Sequence, residues 1–209
     1  MNIETQLAQT GVKKDPRTGS ISTPIYQCAT FEHPSLGQST GFDYSRTANP
    51  TRQALEEAIA LLEEGDRGFA FSSGMAAITT ILFMFKPGDR IIVSDDLYGG
   101  TYRLLEETFS LYGITADYVD TSNLSEIEAA ILPETAGLFI ETPSNPLMKV
   151  TDLTEACRLA KENSLLTIVD NTFLTPYVQK PIRYGADLVV HSASKYLGGH
   201  NDVIAGLVV

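Results

Sequence analysis

The chain has 209 residues, 43% hydrophobic and 20% charged, which is enough apolar material for the core of one large domain or two small ones. Its formal net charge of −11 argues against a nucleic-acid partner, because such proteins present a basic face to phosphate. The N-terminus is not a basic segment leading into an apolar run, and no apolar stretch nears the roughly 20 residues of a membrane helix, so the expected location is the cytoplasm with no membrane partner.

Residues 1–49 read as an extended arm rich in Gly, Pro, Ser and Thr, with turn signals at Asp15-Pro16-Arg17-Thr18-Gly19 and Ser35-Leu36-Gly37. Pro50 opens a predicted helix over 50–64, with Leu55, Ile59 and Leu62 on one face. A short strand over 68–71 leads to an apolar helix over 75–85. Strand 90–93, helix 101–112 and strand 115–119 follow, then helix 124–131 and strand 137–140. Helix 153–163, strand 165–169, a loop, strand 186–190 and a last strand over 203–209 complete the series.

Alternating strands and helices with continuous apolar strands predict an α/β fold over 50–209, with a mostly parallel sheet covered by helices on both faces. Ligands of such sheets bind beyond the carboxyl ends of the strands. The polar residues gather there: Ser72-Ser73-Gly74, Asp95-Asp96-Leu97-Tyr98, Glu141-Thr142-Pro143, Asp170 and Lys195. A lysine and an aspartate at neighbouring strand ends can serve one cofactor. Lysine forms a Schiff base with an aldehyde, and aspartate keeps a pyridine nitrogen protonated, which suggests pyridoxal 5'-phosphate (PLP).

Each piece has a plainer reading beside the functional one. Ser72-Ser73-Gly74-Met75 is either a phosphate-holding helix start or an ordinary Ser-capped turn. Ser192 and Ser194 flank Lys195 as phosphate ligands or as a polar turn. Asp170 is a partner for a pyridinium or a loop cap. Tyr98, before Gly99-Gly100, is a ring that stacks on a flat cofactor or simply packs beside a turn. Asn145 is a donor to a ring oxygen or a substrate carboxylate, or the start of an Asn-Pro turn. Arg46 suits bidentate phosphate contact, or is incidental to the start of a helix, and Arg52, Arg103 and Lys195 could join it in one anion site. Cys28 and Cys157 read as free thiols of a reducing compartment, and His33, His191 and His200 lack metal-ligand spacing, so no metal is expected.

The spans GFDYSRTANPTRQALE, AFSSGMAAI, DDLYGGTYRL, ETPSNPL, IVDNTF and HSASKYLGGHNDVIAG occur in this order over nearly the whole chain. Together they resemble the PLP-dependent cysteine and methionine metabolism family, the trans-sulfuration enzymes, and within it bacterial cystathionine β/γ-lyases and γ-synthases. The resemblance implies the aspartate-aminotransferase-like fold (PLP fold type I), of which this chain would be the N-terminal part: the arm over 1–49 and a PLP-binding large domain over 50–209, without the C-terminal small domain. It implies a homotetramer built from active dimers. Residue by residue, Lys195 matches the Schiff-base lysine, Asp170 the partner of the pyridine nitrogen, and Tyr98 the ring-stacking tyrosine. Gly74, Met75, Ser192 and Ser194 match the phosphate cradle. Tyr44 and Arg46 match residues that reach the phosphate of the adjacent subunit's cofactor, with Tyr44 also near substrate. Asn145 matches the asparagine near the ring oxygen and the substrate carboxylate, and Arg103 a position near the distal end of the substrate. Methionine γ-lyases typically carry cysteine where this chain has Gly100, which argues against that activity.

The implied reaction is elimination at the C–S bond of cystathionine, with γ-replacement between an O-acylhomoserine and cysteine as the alternative. Two rivals of other kinds stand beside it. A nucleotide-binding α/β enzyme shares the fold class, but the chain lacks GxxxxGK[ST] and GxGxxG. A non-catalytic PLP-binding fragment is the second.

Overall fold

A computed structural model of the chain describes residues 2–12 and 15–209. Met1, Lys13 and Lys14, which fall in the predicted arm, lie outside the described residues. The chain divides into two compact units, Met1–Ala70 and Phe71–Val209.

In the first unit a short helix, α1 (Ile3–Ala8), starts at Asn2, whose side chain accepts the Thr5 N–H at 3.1 Å. The arm was expected to be extended, and this helix corrects that. Its six residues carry too little periodic signal to stand out, and the Asn cap supplies what propensity does not. Helix α2 (Pro50–Glu63) groups with this unit. It begins as its sequence predicts: Asn49 caps it through the Thr51 N–H at 2.9 Å and Pro50 occupies the first turn. It ends at Glu64, which turns left-handed at φ 62°. The preceding segment is tied to this helix start. Thr51 Oγ1 accepts the Tyr26 N–H at 2.8 Å and donates to the Pro24 carbonyl at 3.1 Å.

In the second unit strand follows helix as predicted. After β1 (Phe69–Phe71), which spans the division, come α3 (Gly74–Leu82), β2 (Arg90–Ser94), α4 (Gly99–Arg103), β3 (Thr115–Val119), α5 (Leu124–Ala130) and β4 (Thr135–Glu141). Then come α6 (Leu153–Glu162), β5 (Leu166–Asp170), α7 (Thr175–Val178), β6 (Leu188–Ser192) and β7 (Gly206–Val208). Among the described residues the strands form one sheet in the order β1-β7-β6-β5-β4-β2-β3. The pairs β3–β2, β2–β4, β4–β5 and β5–β6 are parallel, while β7 runs antiparallel to β6. Strand order reverses direction between β2 and β4, the place where open α/β sheets hold ligands.

Alternate residues of each central strand serve opposite faces. Ile91, Val93, Phe139, Ile168 and Val190 pack with Ala77, Ile78, Ile81 and Leu82 of α3 and with Phe109. Ile92, Leu138, Ile140 and Val169 pack with Ile127 of α5 and Leu153, Ala156, Cys157 and Ala160 of α6. Both faces are covered, which is why the strands read as unbroken apolar runs. Truncating any of these large side chains to Ala costs about 2–5 kcal/mol.

Two segments depart from expectation. The helix predicted over 101–112 is α-helical only through Arg103, widens to a π turn over Leu104–Thr108, and tightens to a 3-10 turn over Phe109–Tyr112. Gly113 closes it at φ 77°. The loop predicted between β5 and β6 contains α7 and a 3-10 turn over Pro181–Tyr184.

Candidate functional site at the carboxyl edge of the sheet

The carboxyl ends of β2, β4, β5 and β6 place Tyr98, Glu141, Asp170 and Ser192 on one edge. Strand register brings them together: Glu141 stands beside Asp170, and Asp170 beside Val190, two residues short of Ser192. The Ser73-Gly74 turn arrives from the start of α3. Ser73 caps that helix by accepting the Ala76 N–H at 3.0 Å, so Gly74 and Met75 head it. A Cβ on Gly74 would lie 2.8 Å from Ser192 Cβ, so only glycine lets the helix start approach this strand end. From the other side β7 packs Gly206 on the same turn, where a Cβ would lie 2.0 Å from the Ser73 carbonyl oxygen.

At the opposite end Tyr98 folds back over α4. A Cβ on Gly100 would lie 2.4 Å from Tyr98 Cε1 and 3.0 Å from Met75 Sδ. The tyrosine ring, Gly100 and Met75 are therefore in contact, and a larger residue at 100 would displace the ring. Glu141 accepts the Tyr98 N–H at 2.8 Å. The contacts then close into a circuit: Met75, Gly100 and Tyr98, Glu141, Asp170, Thr172, Ser192, Gly74 and back to Met75.

Thr172 links the two ends of this circuit. Its N–H donates to Asp170 Oδ1 at 3.0 Å, and its hydroxyl is also hydrogen-bonded to Asp170. The same hydroxyl accepts the Ser192 N–H at 2.8 Å, so its single proton is directed to the carboxylate. Asp170 is 7% exposed; burial raises its pKa, while Thr172 and then His191 act to lower it. Glu141 is also buried. Burial first, and then the Asp170 charge, push its carboxyl up to about 8.

Lys195 follows Ser192 in a tight turn. Its N–H donates to the Ser192 carbonyl at 3.1 Å, and its carbonyl accepts the Gly199 N–H at 2.8 Å. Ser194 is fixed by the returning chain, its Oγ accepting the Ala205 N–H at 3.1 Å. Asn145 is exposed, and its backbone N–H also serves Glu141. Its loop is anchored by Asp96, which accepts the Ser144 hydroxyl and the Leu147 N–H, the latter at 2.8 Å. Lys149 joins that loop to Asp95 and Asp120, at 2.9 Å from each. Arg103 is exposed at the end of α4, with Nη1 close over Gly99.

Tyr44 and Arg46 belong to the N-terminal unit and are both exposed, with the Arg46 guanidinium 4.9 Å from the centre of the Tyr44 ring. Arg52 is a correction. Its guanidinium donates to the carbonyls of Ser45, Arg46 and Thr47 and to the Glu56 carboxylate, so it clamps the turn that carries Arg46 within its own unit. Glu141 and Thr172 carry the connections of the site, yet the sequence assigned them no role. The available signal was an ionisable residue at the end of a buried strand, and for Thr172 its place two residues after Asp170.

The arrangement fits PLP. A glycine-headed helix start beside two serines suits a phosphate. A buried Asp170, which forms no salt bridge with Lys or Arg among the described residues, suits a protonated ring nitrogen.

Comparison with known proteins agrees. The family model described as Cys/Met metabolism PLP-dependent enzyme matches residues 4–209. A Bacillus subtilis cystathionine gamma-synthase/O-acetylhomoserine (thiol)-lyase is 57% identical over all of this chain and 56% of its own length. A cystathionine beta-lyase of Lactococcus lactis is 54% identical over 99% of this chain and 54% of its own length. The crystal structure of cystathionine gamma-lyase from Lactobacillus plantarum, complexed with L-serine, superposes with a TM-score of 0.96 at 52% identity, covering 100% of this chain and 55% of that one. The chain thus spans just over half the length of the relatives it matches.

Proposed function

Because the chain belongs to the Cys/Met metabolism PLP-dependent enzymes, we propose that it supplies the cofactor site of a carbon–sulfur lyase that cleaves cystathionine by elimination. The observation that carries this reading is the closed circuit at the sheet edge, with a helix start at Gly74 packed on Ser192 and a buried carboxylate at Asp170. When bound, PLP supplies an aldehyde for an amine to condense with and a ring that accepts the electron pair left at Cα. Lys195 Nζ would be the amine that holds the cofactor, and the same amine would serve as general base for the Cα proton of the substrate. Asp170 accepts the ring N–H and keeps that proton in place. Gly74, Met75, Ser192 and Ser194 hold the phosphate, and Tyr98 covers the ring and assists proton movement. Asn145 orients the ring oxygen and the substrate carboxylate, and Arg103 meets the distal end of the substrate. Tyr44 and Arg46 reach the phosphate of an adjacent subunit's cofactor, so the active unit is a dimer, and two such dimers make the homotetramer. Cys28 and Cys157, both free thiols, are consistent with a cytoplasmic setting.

Loss of a thiolate from Cβ, followed by hydrolysis of the resulting enamine with one water, gives homocysteine, pyruvate and ammonia. Loss from Cγ, with the same hydrolysis, gives cysteine, 2-oxobutanoate and ammonia. A second reading, γ-replacement that joins cysteine to an O-acylhomoserine, is favoured by the B. subtilis relative named for that chemistry. Incubating the protein with cystathionine and identifying the keto acid separates them: pyruvate marks β-elimination and 2-oxobutanoate γ-elimination, while neither directs the assignment to the synthase. Borohydride should fix label on Lys195, and Lys195→Ala should abolish both label and turnover. Normal turnover by that variant would defeat the assignment.

A further inference from the structure

Glu141 ends β4 in register with Asp170, which ends β5. Residues paired across adjacent strands project from the same face of the sheet, so the two carboxyls lie side by side. Both are buried, at 8% and 7% exposure. Among the described residues neither forms a salt bridge with Lys or Arg. Two such carboxylates in a water-poor site do not readily ionise together, and one keeps its proton.

The neighbours indicate which one. Asp170 receives two donors from Thr172, the N–H and a hydroxyl whose proton is committed to it, and His191 also acts to lower its pKa. Glu141 receives the backbone N–H groups of Tyr98 and Asn145, but the charges of Asp170, its register partner, and of Asp96 both act against its ionisation. Burial raises the pKa of both groups, but only for Glu141 do neighbouring acids add to the rise.

We propose that Glu141 is a positioning residue of this site, a carboxyl that keeps its proton, anchors the Tyr98 backbone and leaves Asp170 as the charged member of the pair. The proposal rests on the cofactor-site reading above. It assigns one carboxyl to holding the ring-covering tyrosine and the other to meeting the ring nitrogen.

The test compares the wild-type protein with Glu141→Gln and Glu141→Ala. Infrared spectra of the cofactor-free wild type should show a buried carboxylic-acid C=O band that bleaches as the pH passes about 8, and Glu141→Gln should lack it. Glutamine keeps a neutral side chain with an acceptor for Tyr98, so its Kd for PLP should stay within roughly threefold of wild type. Alanine, which cannot accept that N–H, should weaken binding by roughly tenfold. If Glu141→Gln retains the band, the proton lies elsewhere and the proposal fails. It fails equally if Glu141→Gln loses PLP as severely as Glu141→Ala. Should the alanine variant not fold, the infrared comparison decides alone. A wild-type protein that takes up no PLP would overturn the cofactor reading, while the cofactor-free spectra would still locate the proton.

Discussion

Tyr44 and Arg46 in the N-terminal unit sit exposed on a turn whose backbone is held by another side chain, Arg52. Asp170, Glu141 and Ser192 at the sheet edge are instead held by strand register and by backbone contacts too close for a side chain to intervene. The first arrangement tolerates small shifts. The second fixes its atoms before any ligand arrives, which is the preorganisation a cofactor site needs.

The largest expected effect falls on the rigid side. Gly206→Ala puts a Cβ within 2.0 Å of the Ser73 carbonyl oxygen, so backbone must move. We expect a loss of about 3 kcal/mol in urea unfolding and weaker PLP binding, because the displaced turn carries Gly74. A wild-type urea midpoint would mean that the turn is not packed as described.

Next comes the pH dependence of the same edge. The folded Glu141 carboxyl titrates near 8, well above its ordinary value of 4.5. Between those values the unfolded chain gives up a proton that the fold retains, so the stability of the cofactor-free protein should fall as pH rises through this window and level off above it. Asp170, also raised, adds a loss of the same sign as pH rises above the ordinary aspartate range. Urea midpoints at the two ends of the window check this, and Glu141→Gln should flatten the slope.

Arg52→Ala tests the tolerant side. It removes donors to three carbonyls and one carboxylate and should cost about 1–2 kcal/mol, seen as faster amide exchange near residues 44–48 with the sheet amides unchanged. Arg52→Lys should rescue it poorly, because an ammonium cannot span the same acceptors. The smallest effect belongs to Lys149→Met, which removes a bridge whose lysine side chain is 29% exposed. It should lower the urea midpoint only slightly, and less still at high salt.

Much of the fold was legible because a strand covered on both faces shows itself as an apolar run, and a charge at its end marks the sheet edge. That is how Asp170 and Lys195 stood out. The capped helix start at Ser73-Gly74 was legible from small residues before an apolar helix. Less visible were features set by partners distant in sequence. Glu141 gains its role only from standing beside Asp170, and no local pattern encodes that register. The direction of β7 and the short α1 were likewise hidden, the first because a run of apolar residues carries no orientation, the second because six residues barely exceed one turn. The π turn after Arg103 was invisible because composition does not distinguish one helical pitch from another.

Gly206 also bears on when the site comes into being. The turn at Ser73-Gly74 leaves the ribosome early, but the glycine that packs on it is more than a hundred residues further along the chain. Until that glycine has been made and β7 has paired with β6, the helix start at Gly74 lacks one wall. Assembly of the site is therefore a late event governed by long-range pairing, and the nascent protein must keep its apolar strands out of trouble until then.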